Sequence, residues 1–193
     1  MVYHVCVTRA RTYTKKLRAE SEEATRQRIV EALVELHEEV GPARTTVSAV
    51  AERAGVQRLT VYRHFPDEPS MIRACSAHWA QLNPLPDLSP SDADPLRACR
   101  TTLLRLYGWY RDNAAMLVSI ARDSERMSAV AEAMAPFAEQ LDNIAEQLER
   151  CWPQRNSRRR ATLRHALDFT TWRSLDRITR GDRRSVEIVL SWL

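Results

Sequence analysis

Apolar residues in this chain recur every three or four positions, and the stripes they form are cut by proline and glycine. Ile29, Leu33, Leu36 and Val40 fall at i, i+4, i+7 and i+11, an amphipathic helix that begins near Thr25 and is stopped by Gly41-Pro42. Thr45 or Thr46 caps a second helix of about two turns that turns Val47, Val50, Ala51 and Ala54 inward, and Gly55 supplies a left-handed turn after it. A third short helix runs from Gln57 to about His64, with Leu59, Val61 and Phe65 read as core, and ends at Pro66-Asp67. Asp67 caps a fourth helix with the stripe Met71, Cys75, Trp79 and Leu82. Residues 83–95 hold four prolines and read as a connector. Beyond them lie one long helix on Leu96, Cys99, Leu103, Leu106 and Tyr110, a shorter one over 113–123, and a second long one from Met127 to Leu148 that should kink or break at Pro136. A helix from Ser157 to Arg180 and a short last one after Gly181-Asp182 complete an all-α chain of about nine helices.

Residues 1–22 lack helical apolar spacing and carry Arg9, Arg11, Lys15, Lys16 and Arg18, so the pattern predicts a flexible basic arm, either a plain disordered terminus or one that touches DNA. The expected organisation is this arm, a helical head over 23–68 and a body over 69–193.

Charge sharpens that division. Residues 1–66 carry 11 Lys/Arg against 8 Asp/Glu (+3), residues 67–154 carry 8 against 13 (−5), and residues 155–193 carry 10 against 4 (+6). A basic head before an acidic middle suits a polyanionic partner for the head. No apolar run approaches a membrane span, and the N-terminus is the reverse of a secretory signal, so a cytoplasmic protein is expected. Cys6, Cys75, Cys99 and Cys151 form no C-x-x-C pair, which predicts reduced thiols rather than disulfides or a zinc module. Cys75 and His78 stand three apart on one helix, but two ligands do not make a metal site, and they read as core thiol and surface imidazole. No phosphate loop, nucleophile elbow or H-E-x-x-H motif is present, so nothing in the chain speaks for an enzyme or a cofactor.

Two short helices around a glycine turn form a helix-turn-helix arrangement, in which the second helix enters a major groove while the first crosses the backbone. Thr46, Val50, Ala51, Ala54, Gly55, Val56, Thr60, Val61, Tyr62, His64 and Phe65 stand in the pattern T-x-x-x-[IV]-A-x-x-A-G-V-x-x-x-T-[LV]-Y-x-H-F. This resembles the signature of the TetR family of regulators, over about a quarter of the chain. The resemblance implies a homodimer that binds a palindromic operator in double-stranded DNA as a transcriptional regulator, a repressor by expectation, and leaves it when a small apolar or aromatic effector binds.

It further implies that Gln57, Arg58 and Thr60 lie nearest base edges, with Tyr62, Arg63 and His64 on phosphates and Thr46 at the start of the second helix. Glu68 stands where the family usually has a phosphate-contacting lysine, and Ser48 where arginine is common; Arg44 is the candidate to reach the same strand. The family's effector pocket would here be walled by Trp79, Leu103, Tyr107, Tyr110, Met116, Ile120, Met134, Phe137, Phe169 and Trp172. Its dimer seam would draw on Leu163, Leu167, Leu175, Ile178, Val186, Val189, Leu190 and Leu193. Arg158, Arg159 and Arg160 open a helix whose dipole disfavours them, so they should face solvent or an acidic patch. The alternative is a helical protein–protein module without specific DNA binding, favoured by Glu68 and the small charge of the head.

Overall fold

The computed structural model describes the backbone from Val5 and side chains from Lys16; residues 1–4, and the side chain of Cys6, lie outside the described part. The elements are α1 (Val5–Glu39), a 3-10 turn at Pro42–Arg44, α2 (Val47–Arg53), α3 (Arg58–His64), α4 (Glu68–Leu82), α5 (Pro95–Asp112), α6 (Ala114–Asp123), α7 (Ser128–Glu149), α8 (Ser157–Ala166), α9 (Phe169–Thr179) and α10 (Asp182–Leu190). The fold is all-helical among the described residues, with ten helices where the pattern suggested nine.

Three differences from the sequence pattern have local causes. The helix expected from Thr25 starts at Val5, so most of the segment read as a flexible arm is helical. No Gly or Pro interrupts it before Gly41, and Lys16–Glu20 and Glu23–Arg26 are paired at helical spacing on its exposed surface. The single helix expected over 157–180 is two, because Asp168 caps α9 by accepting from Thr170 N at 2.8 Å. The carbonyls freed at the end of α8 find donors on α5: Tyr107 Oη donates to Ala166 O at 2.8 Å and Tyr110 Oη to Leu167 O at 2.6 Å. Finally, α7 is continuous through Pro136, so the expected break does not occur.

Two buried clusters organise the chain. The first joins Ile29, Leu33 and Leu36 of α1 to Val50, Ala51, Ala54, Val61 and Phe65, and takes in Met71 and Cys75 of α4, so the head's core extends past residue 68. Gly55, at φ +64°, makes the left-handed turn between α2 and α3. Thr46 accepts from Ala49 N as the N-cap of α2, and Arg53 ties α2 to α1 by ion pairs to Glu35 and Glu39 at 2.9 and 2.8 Å. Arg26 of α1 lies over the Phe65 ring at 5.1 Å.

The second cluster is the body, built on α5, α7, α8, α9 and α10. The proline-rich connector is part of it: Leu88 is buried, its carbonyl accepts from Thr102, and Asn83 O accepts from Trp109 Nε1. Arg100 and Arg111 of α5 pair with Glu187 and Asp182 of α10. At the start of α8, Arg158 is exposed and Arg160 approaches Glu146, as the dipole argument expected, whereas Arg159 is half-buried and stacks on Trp152.

Candidate functional site

The exposed edge of the head is α3 with the turn before α2. Residues i and i+3 or i+4 of a seven-residue helix share a face, so burying Val61 and Phe65 turns their neighbours outward. Gln57, Arg58, Tyr62 and Arg63 are exposed and Thr60 half-buried; Arg44 and Thr46 are exposed on the adjoining turn. Seven of the eight expected contact residues are therefore at least partly accessible. His64 is the exception in part, since its Nε2 is shielded from solvent and has no partner among the described residues. Leu59, expected in the core, is instead 76 % exposed beside Arg58, because its position on α3 faces away from α1 and α2. At the start of α4, Asp67 and Ser70 form a reciprocal cap that already satisfies Ser70 N, and Glu68 is exposed.

Beneath the head lies a cavity of about 310 Å³ between α4, α6 and α7. Trp79, Met116, Ile120, Met134 and Phe137 line it as expected. Leu103, Tyr107, Tyr110, Phe169 and Trp172 do not: they sit in the packed centre of the body, where the two tyrosine hydroxyls serve α8. Composition could not separate cavity from core, since both are aromatic.

The residues missed are Trp109, which meets Trp79 and Phe137 at ring distances of 5.8 and 5.7 Å, and His37. Burial pushes the His37 imidazole down to about 4 against an opposing pull from Asp123, and its Nδ1 lies 3.2 Å from Cys75 Sγ. Burial likewise pushes the Cys75 thiol up to about 12. Cys75 and His78 both face α1 but at positions ten residues apart, His37 and Gln27, the latter at 3.4 Å from the His78 ring, so the pair does not converge. His37 also borders a smaller cavity of about 220 Å³ that Tyr62 and Glu68 line.

Head and body are joined twice. Helix α4 gives Met71 and Cys75 to the head's core and Ile72, Ser76 and Trp79 to the cavity wall. At the end of α6, Asp123 accepts from Ala43 N at 3.0 Å while Arg122 donates to Val40 O at 2.9 Å and to Asp123. Gly41, at φ +88°, lets the chain turn under this clamp.

Of the residues expected at a dimer seam, Leu163, Leu167, Val186 and Val189 are fully buried within the protomer and belong to its own core. What α9, α10 and the terminus leave outside is Ile178 at 81 % exposure, Ile188, Trp192 and the half-buried Leu175, Leu190 and Leu193.

The family model "Bacterial regulatory proteins, tetR family" matches residues 29–75, which are the end of α1, the α2–α3 pair and half of α4. A curated relative, the HTH-type transcriptional regulator SrpR of Pseudomonas putida, is 39 % identical over 77 residues, 38 % of this chain and 36 % of that protein. The matched stretch thus spans little more than a third of that relative's length. Among solved structures, the multidrug binding protein EbrR complexed with imidazole superposes with a TM-score of 0.59 at 16 % identity, over 87 % of this chain and 89 % of that one. NalD, the secondary repressor of the MexAB-OprM multidrug efflux pump in Pseudomonas aeruginosa, superposes at 0.57 and 22 %, over 89 % and 94 %. These two similarities extend the likeness of fold across the body. The similarity to the tetR family of bacterial regulatory proteins thus lies in the head, over residues 29–75, and the body behind it shares the architecture of these two solved structures.

Proposed function

We propose that this protein is a ligand-responsive repressor that binds a palindromic operator as a homodimer and releases it when a small molecule fills the cavity under α4. The observation that carries the reading is the exposed, basic face of α3, where Arg58 and Arg63 flank Leu59, Thr60 and Tyr62 on a helix short enough to enter a major groove. On this reading Gln57, Arg58 and Thr60 address base edges, and Arg44, Thr46, Tyr62, Arg63 and His64 address the backbone. The functional units are then a head that ends within α4 and a body that begins there. NalD is described as a repressor and EbrR as a multidrug binding protein; both descriptions fit this assignment. Pairing of the exposed α9–α10 surface around Ile178 and Trp192 supports two heads, which must stand about 34–36 Å apart to meet successive major grooves.

Release follows from α4 and α6 being shared by cavity and head: a ligand that shifts either helix changes the spacing of the two α3 helices. The test is a fluorescence-anisotropy titration against the DNA upstream of the protein's own gene and against a random duplex pool, at two salt concentrations. Saturable binding that survives a scrambled competitor and weakens steeply with salt is the expected result. No binding to any duplex would leave the protein–protein module as the better reading.

A further inference from the structure

Resting on the assignment of the cavity as the effector site, we propose that the effector is an uncharged aromatic molecule carrying a hydrogen-bond acceptor, and that His37 is the residue that holds this acceptor. The first observation is what the wall lacks. Among the described residues lining the cavity there is no Asp, Glu, Lys or Arg; its polar members are Ser76, Asn83, Gln140 and His37. An ionic ligand entering this space would lose its water with no counter-charge to replace it. The nearby Asp123 supplies none, since it lies outside the wall and is held by Arg122 and Ala43 N.

The second observation is the shape of the apolar surface. Trp79 and Trp109 meet at 72° and Trp109 tilts 33° to Phe137, so ring faces and edges are presented together, while Met116 and Met134 adapt to what lies between them. A volume of about 310 Å³ accommodates a fused two-ring skeleton.

The third is the polar pair in the wall. His37 is 4 % exposed, and its Nδ1 is 3.2 Å from Cys75 Sγ. Burial keeps the thiol protonated and the imidazole neutral, and a thiol donates to an imidazole nitrogen more effectively than its sulfur accepts. Nδ1 is then the acceptor, the ring proton sits on Nε2, and among the described residues nothing accepts from Nε2. His37 lines the cavity, and a ligand carbonyl or ether oxygen there gives this proton the acceptor that the described residues do not supply. Cys75 thus acts as a positioning residue: it fixes the tautomer that makes His37 a donor.

The test uses four probes on one naphthalene skeleton, titrated calorimetrically into the full-length protein: 2-acetylnaphthalene (uncharged, acceptor), 2-ethylnaphthalene (uncharged, no acceptor), 2-naphthoate (anion) and 2-naphthylmethylammonium (cation). The ketone should bind about five- to tenfold more tightly than the hydrocarbon, in keeping with one hydrogen bond, and both ions should bind more weakly than either. In His37→Phe the ketone and the hydrocarbon should bind alike, and His37→Gln, which keeps a donor, should restore part of the preference. An ion that binds as tightly as the ketone overturns the proposal, as does a ketone preference that survives in His37→Phe. Failure of all four probes to bind overturns it too. If His37→Phe does not fold, the charge series on the wild-type protein still decides. Ketone binding that leaves duplex binding unaltered would instead overturn the effector role of the cavity, with the ligand chemistry upheld.

Discussion

Tyr107 and Tyr110 lie one turn apart on α5, and each spends its hydroxyl on a carbonyl that the end of α8 leaves open. Removing the Tyr110 hydroxyl strands Leu167 O in a packed interior, so Tyr110→Phe should cost about 1–3 kcal/mol of stability, read as a lower urea midpoint. His37 makes the fold sensitive to mild acid. The unfolded chain takes up a proton below the ordinary value of 6.5, the folded chain only near 4; stability present above pH 6.5 is therefore lost as pH falls toward 4. The loss should reach about 3 kcal/mol, and the slope should flatten in His37→Gln, which urea titrations across that range would resolve. On α3, Arg58→Ala should relax preference at one base pair at a cost of about 1–3 kcal/mol there, whereas Tyr62→Phe should weaken binding to all sequences alike; anisotropy on single-base operator variants separates the two. The contact residues on α3 came from the resemblance its motif carries, and of the three residues expected in its core Val61 and Phe65 are buried. Leu59 does not follow its hydrophobicity, because a helix that buries Val61 and Phe65 turns that position outward.

At the scale of elements, what the sequence showed and what it hid follow from how far a helix depends on its surroundings. The caps at Thr46, Asp67 and Gly55 are local chemistry and were legible. The split at Asp168 was not, since Leu163, Leu167, Thr171 and Leu175 keep helical spacing across it, and the tyrosines that accept the break come from a distant helix. The extension of α1 was hidden for the opposite reason: residues 16–24 are exposed, so this part of the helix carries no apolar stripe. The clamp from α6 onto the turn after α1 was equally invisible, because Arg122 and Asp123 sit eighty residues from Val40 and Ala43. Asp123→Asn should loosen it and lower stability by about 1.5–3 kcal/mol, the range for hydrogen bonds to a charged group. Gly41→Ala should also destabilise, by adding a side chain at positive φ against Arg122. Chemical denaturation of both variants checks the pair.

At the scale of the whole molecule, a stripe of apolar residues does not say which surface it will meet. Half of the positions expected at a dimer seam close the body's own core, and the remainder, led by Ile178, stay outside. If those exposed residues join two protomers, Ile178→Asp should yield a monomer in analytical ultracentrifugation and lose operator affinity, since each head alone reads only a half-site. The wild-type protein should sediment as a dimer in the same buffer. On the proposed reading, helix α4 would then work as a lever arm. Its 15 residues make a rod about 22 Å long, held by the head's core near one end and bordering the cavity along its middle. Swinging such a rod by about 5° displaces its far end by about 2 Å, and twofold symmetry doubles the change between the two heads. On the proposed reading, a cavity that yields by little more than a bond length would thereby be enough to put the dimer out of step with the pitch of its duplex.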